Sequence, residues 1–244
     1  MERAVLMDRL RKVVWCLVLL SFVIPILFLT YKIIIAPASL ETGEPTRLKS
    51  DYVLMLVQCM LGLIAMLLPV ILARRFEFRL PSIIYFMFVI FLYCAIFLGE
   101  VRSFYYTVPH WDTILHTFSG GMLGSLGFTL VSWLNKDEHT STRLSPLFVA
   151  IFAFCFAVAL GTLWEIYEFT FDGVLGLNMQ KFMREDGTQL IGRAALTDTM
   201  KDLCVDVLGA LVVSAVGFVS LKVRHGKFEN LGGAPSAAEQ NDEK

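Results

Sequence analysis

Long apolar runs broken by short polar stretches divide the chain into six segments, residues 13–35, 52–73, 81–98, 112–134, 146–171 and 198–221. A bilayer core about 30 Å thick needs roughly 20 mostly apolar helical residues to cross it, and each run meets or approaches that length. The pattern predicts an all-α fold, a polytopic transmembrane helical bundle of about six spans, with one membrane domain over residues 1–229. Pro81 suits a first helical turn, and Arg74 and Arg75 close the second run. Residues 230–244 are mostly Gly, Ala, polar and charged, which predicts a disordered tail unable to bury much surface. The first run has a basic start (Arg3, Arg9, Arg11, Lys12), and Ala36, Pro37 and Ala38 imitate a small-residue cleavage site. Its apolar core of about 19 residues exceeds the roughly 7–15 of a signal-peptide core. Retention as a true span is expected.

Composition agrees with the runs. Hydrophobic residues make up 56% of the chain and charged residues 18%, against about 45–50% and about 25% in soluble domains. A soluble cytoplasmic enzyme, a disordered chain and a secreted disulfide scaffold are excluded on this ground. The net charge of −1 suggests no nucleic-acid partner. Cys16, Cys59, Cys94, Cys155 and Cys204 lie in or beside apolar runs and read as small hydrophobes. Thirteen Lys and Arg residues flank the spans on the side of the termini and seven on the other, Lys201 being left out as lying within a span. Basic residues accumulate on the cytoplasmic side, so both termini are expected in the cytoplasm of a bacterial inner membrane.

The acids are not scattered. Glu100 and Arg102 follow the third run; His110, Asp112 and His116 open the fourth; Glu165, Glu168 and Asp172 end the fifth; Asp198, Lys201, Asp202 and Asp206 start the sixth. By the charge count all lie at the extracytoplasmic ends of their helices. Residues three or four apart share one helical face, as do Asp112 with His116, Glu165 with Glu168, and Asp198 with Asp202 and Asp206. Continuing along the same faces, Gly120 and Gly124, Gly161 and Ala157, and Ala210 and Ser214 permit close helix approach in lipid. The last three spans are therefore expected to pack tightly at one end and open around a polar pocket at the other.

Two histidines among eight carboxylates suit a divalent cation, and they also suit proton transfer. The candidate ligands are Asp112, His116, Glu165, Glu168, Asp202 and Asp206, with Glu165 and Asp202 the candidate catalytic residues. Glu100, Arg102, His110, Asp172, Asp198 and Lys201 form a secondary set. A competing reading pairs Arg102, Lys201, Arg184 and Arg193 with these acids simply to fix helix contacts. Phe104, Tyr105, Tyr106 and Trp111 read as an interfacial aromatic belt, with the lining of a substrate mouth as the lesser alternative. The chain has neither a His-Glu-x-x-His pair nor a phosphate-cradling Gly-Lys-Ser/Thr loop, and neither a nucleotide nor a flavin is expected. Asp198, Asp202 and Asp206 also faintly match the aspartate-rich helices of prenyltransferases and CDP-alcohol transferases, whose further motifs are missing.

Three motifs together, Pro109-His110-Trp111-Asp112 with Leu115-His116, Trp164-Glu165 with Glu168, and Asp198-Thr199 with Asp202, Asp206 and Gly209-Ala210, resemble the YjdF-like family of bacterial inner-membrane proteins. The order of these motifs is also similar to that of the VanZ-like proteins, a group linked to glycopeptide tolerance. Those typically carry Asn where Asp206 stands and lack the Glu165/Glu168 pair. The resemblance implies the fold and the inner-membrane location, and no reaction.

Three functions remain open on the sequence. One is metal-assisted hydrolysis or transfer on a lipid-linked substrate reached from the bilayer; the others are cation or proton transport and a non-catalytic envelope protein with a structural ion. Oligomeric state is left open. The topology is testable directly: reporter fusions after Gly187 and after Ser236 should report opposite compartments, with Gly187 outside. A cytoplasmic signal at Gly187 would reverse the orientation.

Overall fold

A computed structural model describes residues 2–36, 49–75, 81–134, 144–184 and 188–232. The described chain is helical apart from turns and one isolated bridge between Met183 and Gln189. Helix α1 spans Glu2–Ile35, α2 Lys49–Arg75 and α3 Ser82–Leu92, the last continuing as a π-helical segment, Tyr93–Val101. The short α4, Phe104–Thr107, leads to α5, Trp111–Leu134, then α6, Pro146–Leu175, and α7, Arg193–Gly232. Six stretches are long and apolar enough to cross a membrane, α3 and its π segment forming one of them. The protein is a polytopic helical bundle.

Local chemistry explains where the helices start and stop. Ser145 caps α6 by accepting a hydrogen bond from Phe148 N at 3.2 Å, with Pro146 in the first turn. Gly176, at φ 64°, ends α6 in the left-handed conformation and returns its N–H to the Asp172 carbonyl. Several helices outrun the apolar segments read from sequence: α6 carries on to Leu175, and α7 begins at Arg193. A charged or polar terminal turn costs hydropathy without costing a single backbone hydrogen bond. Because α7 reaches Gly232, the first residues of the expected tail are helical; residues 233–244 lie outside the described residues.

Two groups of helices pack differently. Helices α1, α2 and α3 with its π segment enclose large side chains, among them Phe22, Leu29, Cys59, Met66 and Val89. Trp15 Nε1 donates to Tyr85 Oη at 3.0 Å, and that hydroxyl donates to the Met66 carbonyl at 3.3 Å, tying α1, α3 and α2 together. Helices α5, α6 and α7 pack against one another, and their seam is made of small residues. Gly120 lies on the backbone of Asp206, Gly209 lies on the Thr117 carbonyl, and Gly127 faces Ala153. Lipid offers no hydrophobic drive between helices, so backbone proximity of this kind supplies the packing energy. Large side chains such as Leu27, Ile64, Leu163 and Val212 stay exposed on the outer surface, as a lipid-solvated bundle requires.

A methyl group on Gly209 would overlap the Thr117 carbonyl, a backbone atom that cannot rotate away, whereas one on Gly173 would meet nothing within 4 Å. Gly209→Val should therefore lower the melting temperature in detergent sharply, with overpacking costs at or above the usual ~1–3 kcal/mol. Gly173→Val should melt like the parent. Equal melts for the two variants would mean that α5 and α7 do not touch at this glycine.

Candidate functional site

The α5–α7 seam fixes the polar cluster. Asp112 and His116 lie one turn apart near the start of α5, Asp202 and Asp206 one turn apart on α7, and Glu165 projects from α6. At 1.5 Å per residue, Glu165 sits about 15 Å inside the end of α6. His116, Glu165, Asp202 and Asp206 are all buried. The His116 Nδ1 is 3.2 Å from Asp206 Oδ2, while Nε2 faces Asp112 Oδ1 at 3.7 Å and Glu165 Oε1 at 4.0 Å. Ser119 Oγ, 2.8 Å from Asp206 Oδ1, holds the other side of that carboxylate. Gly161 makes room for it, since a methyl there would come within 2.7 Å of Asp206 Oδ2.

Potential ligand atoms of Asp112, His116 and Asp202 all lie within 4.8 Å of one another. Both oxygens of Glu165 and Oδ1 of Asp202 are buried with no hydrogen-bond partner. A carboxylate at such depth costs a few kcal/mol unless it is paired, protonated or solvated. The other acids behave differently. Asp172 accepts from Met179 N at 2.7 Å and Gln180 N at 2.9 Å, anchoring the chain that leaves α6. Glu168 accepts from Trp164 Nε1 at 2.9 Å, one turn back on its own helix. Glu100, buried at the end of the π segment, pairs with Lys181 at 2.9 Å.

Lys181 carries no helical signal and was not legible as a site residue. It also lies over the rings of Tyr105 and Tyr106, 4.7 and 5.2 Å from their centroids. Burial alone would lower the Lys181 ammonium, but the Glu100 charge beside it outweighs that and holds it above its ordinary value. Burial first, then the charges of Asp112 and Glu100, push the Tyr105 phenol well above its usual range. Arg102, Lys201, Arg184 and Arg193, the cations expected to pair with the acids, form no ion pair with them among the described residues. Lys181 takes that role instead, and for Glu100 alone.

A cavity of about 360 Å³ adjoins the cluster through Asp112 and Asp198. Tyr105, Tyr106 and Trp111 line it. His110, at φ 60° in the turn entering α5, lines it together with Lys181, Arg184 and Lys201. Of the secondary set, His110, Asp198 and Lys201 thus reach the cavity, while Glu100 and Asp172 are held by Lys181 and by backbone; Arg102 is exposed. Ser119, like Lys181, was not legible beforehand, because a serine within an apolar helix ordinarily bonds its own backbone.

The sequence matches the family described as "Predicted membrane protein (DUF2238)" over residues 17–223. It is also 28% identical over 122 residues to an uncharacterized protein of Thermotoga maritima, covering 49% of this chain and 53% of that one. The chain thus spans about half the length of that relative. No solved structure matches.

The Glu100–Lys181 pair generates a prediction with a definite sign. A lysine whose folded value is raised contributes stability below its unfolded value of about 10.4, and loses it only as pH rises through the folded value. Lys181→Gln strands a buried carboxylate and should cost on the order of 3–5 kcal/mol, with the deficit in melting temperature constant from pH 6 to 9. The double variant Glu100→Gln/Lys181→Gln should recover much of the loss. A deficit that vanished between pH 6 and 9 would show that the ammonium is not held charged.

Proposed function

The chain belongs to the DUF2238 family of predicted membrane proteins, and from that premise we propose that it holds a divalent cation within the bilayer and uses it on a lipid-linked substrate. The cation would sit among Asp112, His116 Nε2, Asp202 and Glu165. The observation that carries this reading is the Glu165 carboxylate, buried with both oxygens unpartnered and directed toward the His116 ring. An acceptor-only group so placed needs a positive charge or a proton. Asp206, accepting at Nδ1, orients the ring and leaves Nε2 for the cation, as carboxylates behind metal-bound histidines do. Three carboxylates and one imidazole are a mixed, mainly oxygen donor set, of the kind that Mn, Mg or Zn accepts.

Bound there, a divalent cation would supply Lewis-acid polarisation of a substrate oxygen, and Glu165 would accept the proton of an attacking hydroxyl or water. Asp202 serves as ligand, and Glu168 stands at the rim, tied to Trp164. The excess of Lys and Arg on the side of the termini, together with the resemblance to YjdF-like proteins, supports a bacterial inner membrane with both termini cytoplasmic and the cavity facing outward. A transport reading finds less support. Toward the other end the faces of α5, α6 and α7 carry Gly124, Ala157 and Ala210, packed helix on helix without a charged relay.

Purified protein should carry near-stoichiometric metal by elemental analysis, and a chelator should lower its melting temperature. Glu165→Gln and Asp202→Asn should each lose the metal while melting no lower than the chelated parent, since each removes a stranded negative charge. Metal-free protein with a chelator-independent melt, destabilised by the same substitutions, would overturn the cation and leave a charge-paired core.

A further inference from the structure

The cavity lining is mixed in charge. Asp112, which also belongs to the His116 cluster, and Asp198 are its acids, and His110, Arg184 and Lys201 bring positive or protonatable groups to the same space. Lys181 also lines the space, but its ammonium is committed to Glu100. Neither Arg184 nor Lys201 forms an ion pair with a described acid. The rest of the lining is mostly aromatic: Trp111 donates its ring N–H to the Cys94 carbonyl at 3.3 Å, and the Tyr106 hydroxyl receives Asn178 Nδ2 at 3.3 Å. A space of about 360 Å³ with these surfaces falls in the range of small-molecule sites, roughly 300–1,000 Å³.

We propose that this cavity is a phosphate subsite, in which Arg184 and Lys201 grip the phosphate of an amphipathic substrate and present it to the cluster around His116. The proposal deepens the metal-centre reading and rests on it for the second half of that geometry. Several features select phosphate. Acids share the lining, so an anion enters only if it is drawn by the cations beside them or bridged by a metal. A tetrahedral phosphate has enough oxygens to do both at once, and Arg matches it with a planar fork. A carboxylate offers two oxygens, too few to span from the cations to a metal while also being polarised for reaction. The aromatic wall then takes the part of the substrate next to the phosphate, whether a lipid glycerol or a sugar.

The test uses the full chain in detergent with Mn²⁺, and follows binding of dihexanoyl phosphatidic acid, dihexanoylglycerol and inorganic phosphate by calorimetry. Phosphatidic acid should bind, and dihexanoylglycerol, which lacks the phosphate, at least about tenfold more weakly, in line with the loss of charge-assisted bonds. Arg184→Gln/Lys201→Gln should weaken phosphatidic acid at least about tenfold on the same reasoning, while leaving Mn²⁺ affinity unchanged. Arg184→Lys should retain part of the binding. Inorganic phosphate binding as tightly as phosphatidic acid would support the subsite with a soluble phosphate as its source. Phosphatidic acid bound equally by the parent and the double variant, or dihexanoylglycerol bound as tightly, would overturn it. The two readings separate cleanly. Mn²⁺ binding without phosphate binding sinks the subsite alone. Phosphate binding that depends on Arg184 and Lys201 in a protein that binds no Mn²⁺ upholds the subsite and sinks the metal centre.

Discussion

A carboxylate inside a bilayer-spanning bundle must be answered by something else in the bundle, and that requirement organises this protein. Some of its acids are answered by the chain itself. Asp206 has His116 Nδ1 and Ser119, Asp172 has two backbone N–H groups, and Glu100 has Lys181. Asp112 and Glu165 face the other nitrogen of His116, and a ligand atom of Asp202 lies within 4.8 Å of those of Asp112 and His116. Both Glu165 oxygens and Asp202 Oδ1 are buried without a hydrogen-bond partner. The contrast matters more than the number of acids. A fold that could satisfy three carboxylates so completely had the means to satisfy the rest, and where it did not, the remaining groups share one space.

That space exists because two backbones touch. Gly209 against Thr117 and Gly120 against Asp206 draw α7 onto α5, so that residues nearly ninety positions apart can share one hydrogen bond. Gly161 does the same for α6, leaving a hollow that the Asp206 carboxylate fills. Larger residues here would separate the helices and move the ligand atoms apart, so packing and chemistry are one constraint. The first three spans obey other rules. Their core is built from bulky side chains, and among their contacts with the rest of the bundle are two at the rim of the site: Glu100 with Lys181, and Leu54 of α2 with Leu177 and Met179. Both contacts hold the segment between α6 and α7, which carries Lys181 and Arg184 into the cavity wall. The π turn at Tyr93–Val101 widens the helix just before Glu100, a distortion of the sort that recurs at functional sites.

Helix number, the joint packing of the last three spans and the identity of the buried acids were legible because each follows from local spacing. Fours along one face, Asp112 to His116 to Gly120 and Asp202 to Asp206 to Ala210, mark both the polar cluster and the small-residue seam beneath it. What could not be read was which cation answers which acid. Arg102, Arg184, Arg193 and Lys201 are as near in sequence to the acids as Lys181 is, and no periodicity governs a connecting segment. Nor could the split between Glu165 and Glu168 be foreseen. Three residues apart they share a face, yet Trp164 engages Glu168 while Glu165, a turn deeper, faces His116. The aromatic residues were ambiguous for a related reason, since an interfacial belt and a cavity wall have the same composition.

The proposed cation and phosphate would be coupled electrostatically. Ionised, Asp112, Asp202 and Glu165 oppose an anion that approaches Arg184 and Lys201. A divalent cation held among them would offset part of that charge, and a phosphate drawn in by Arg184 and Lys201 would bring further negative charge toward the cation. Each ligand would then strengthen the binding of the other, by linkage with the same factor in both directions. A protein cation placed permanently beside Glu165 would satisfy the carboxylate, but it would also remove that dependence of one ligand on the other.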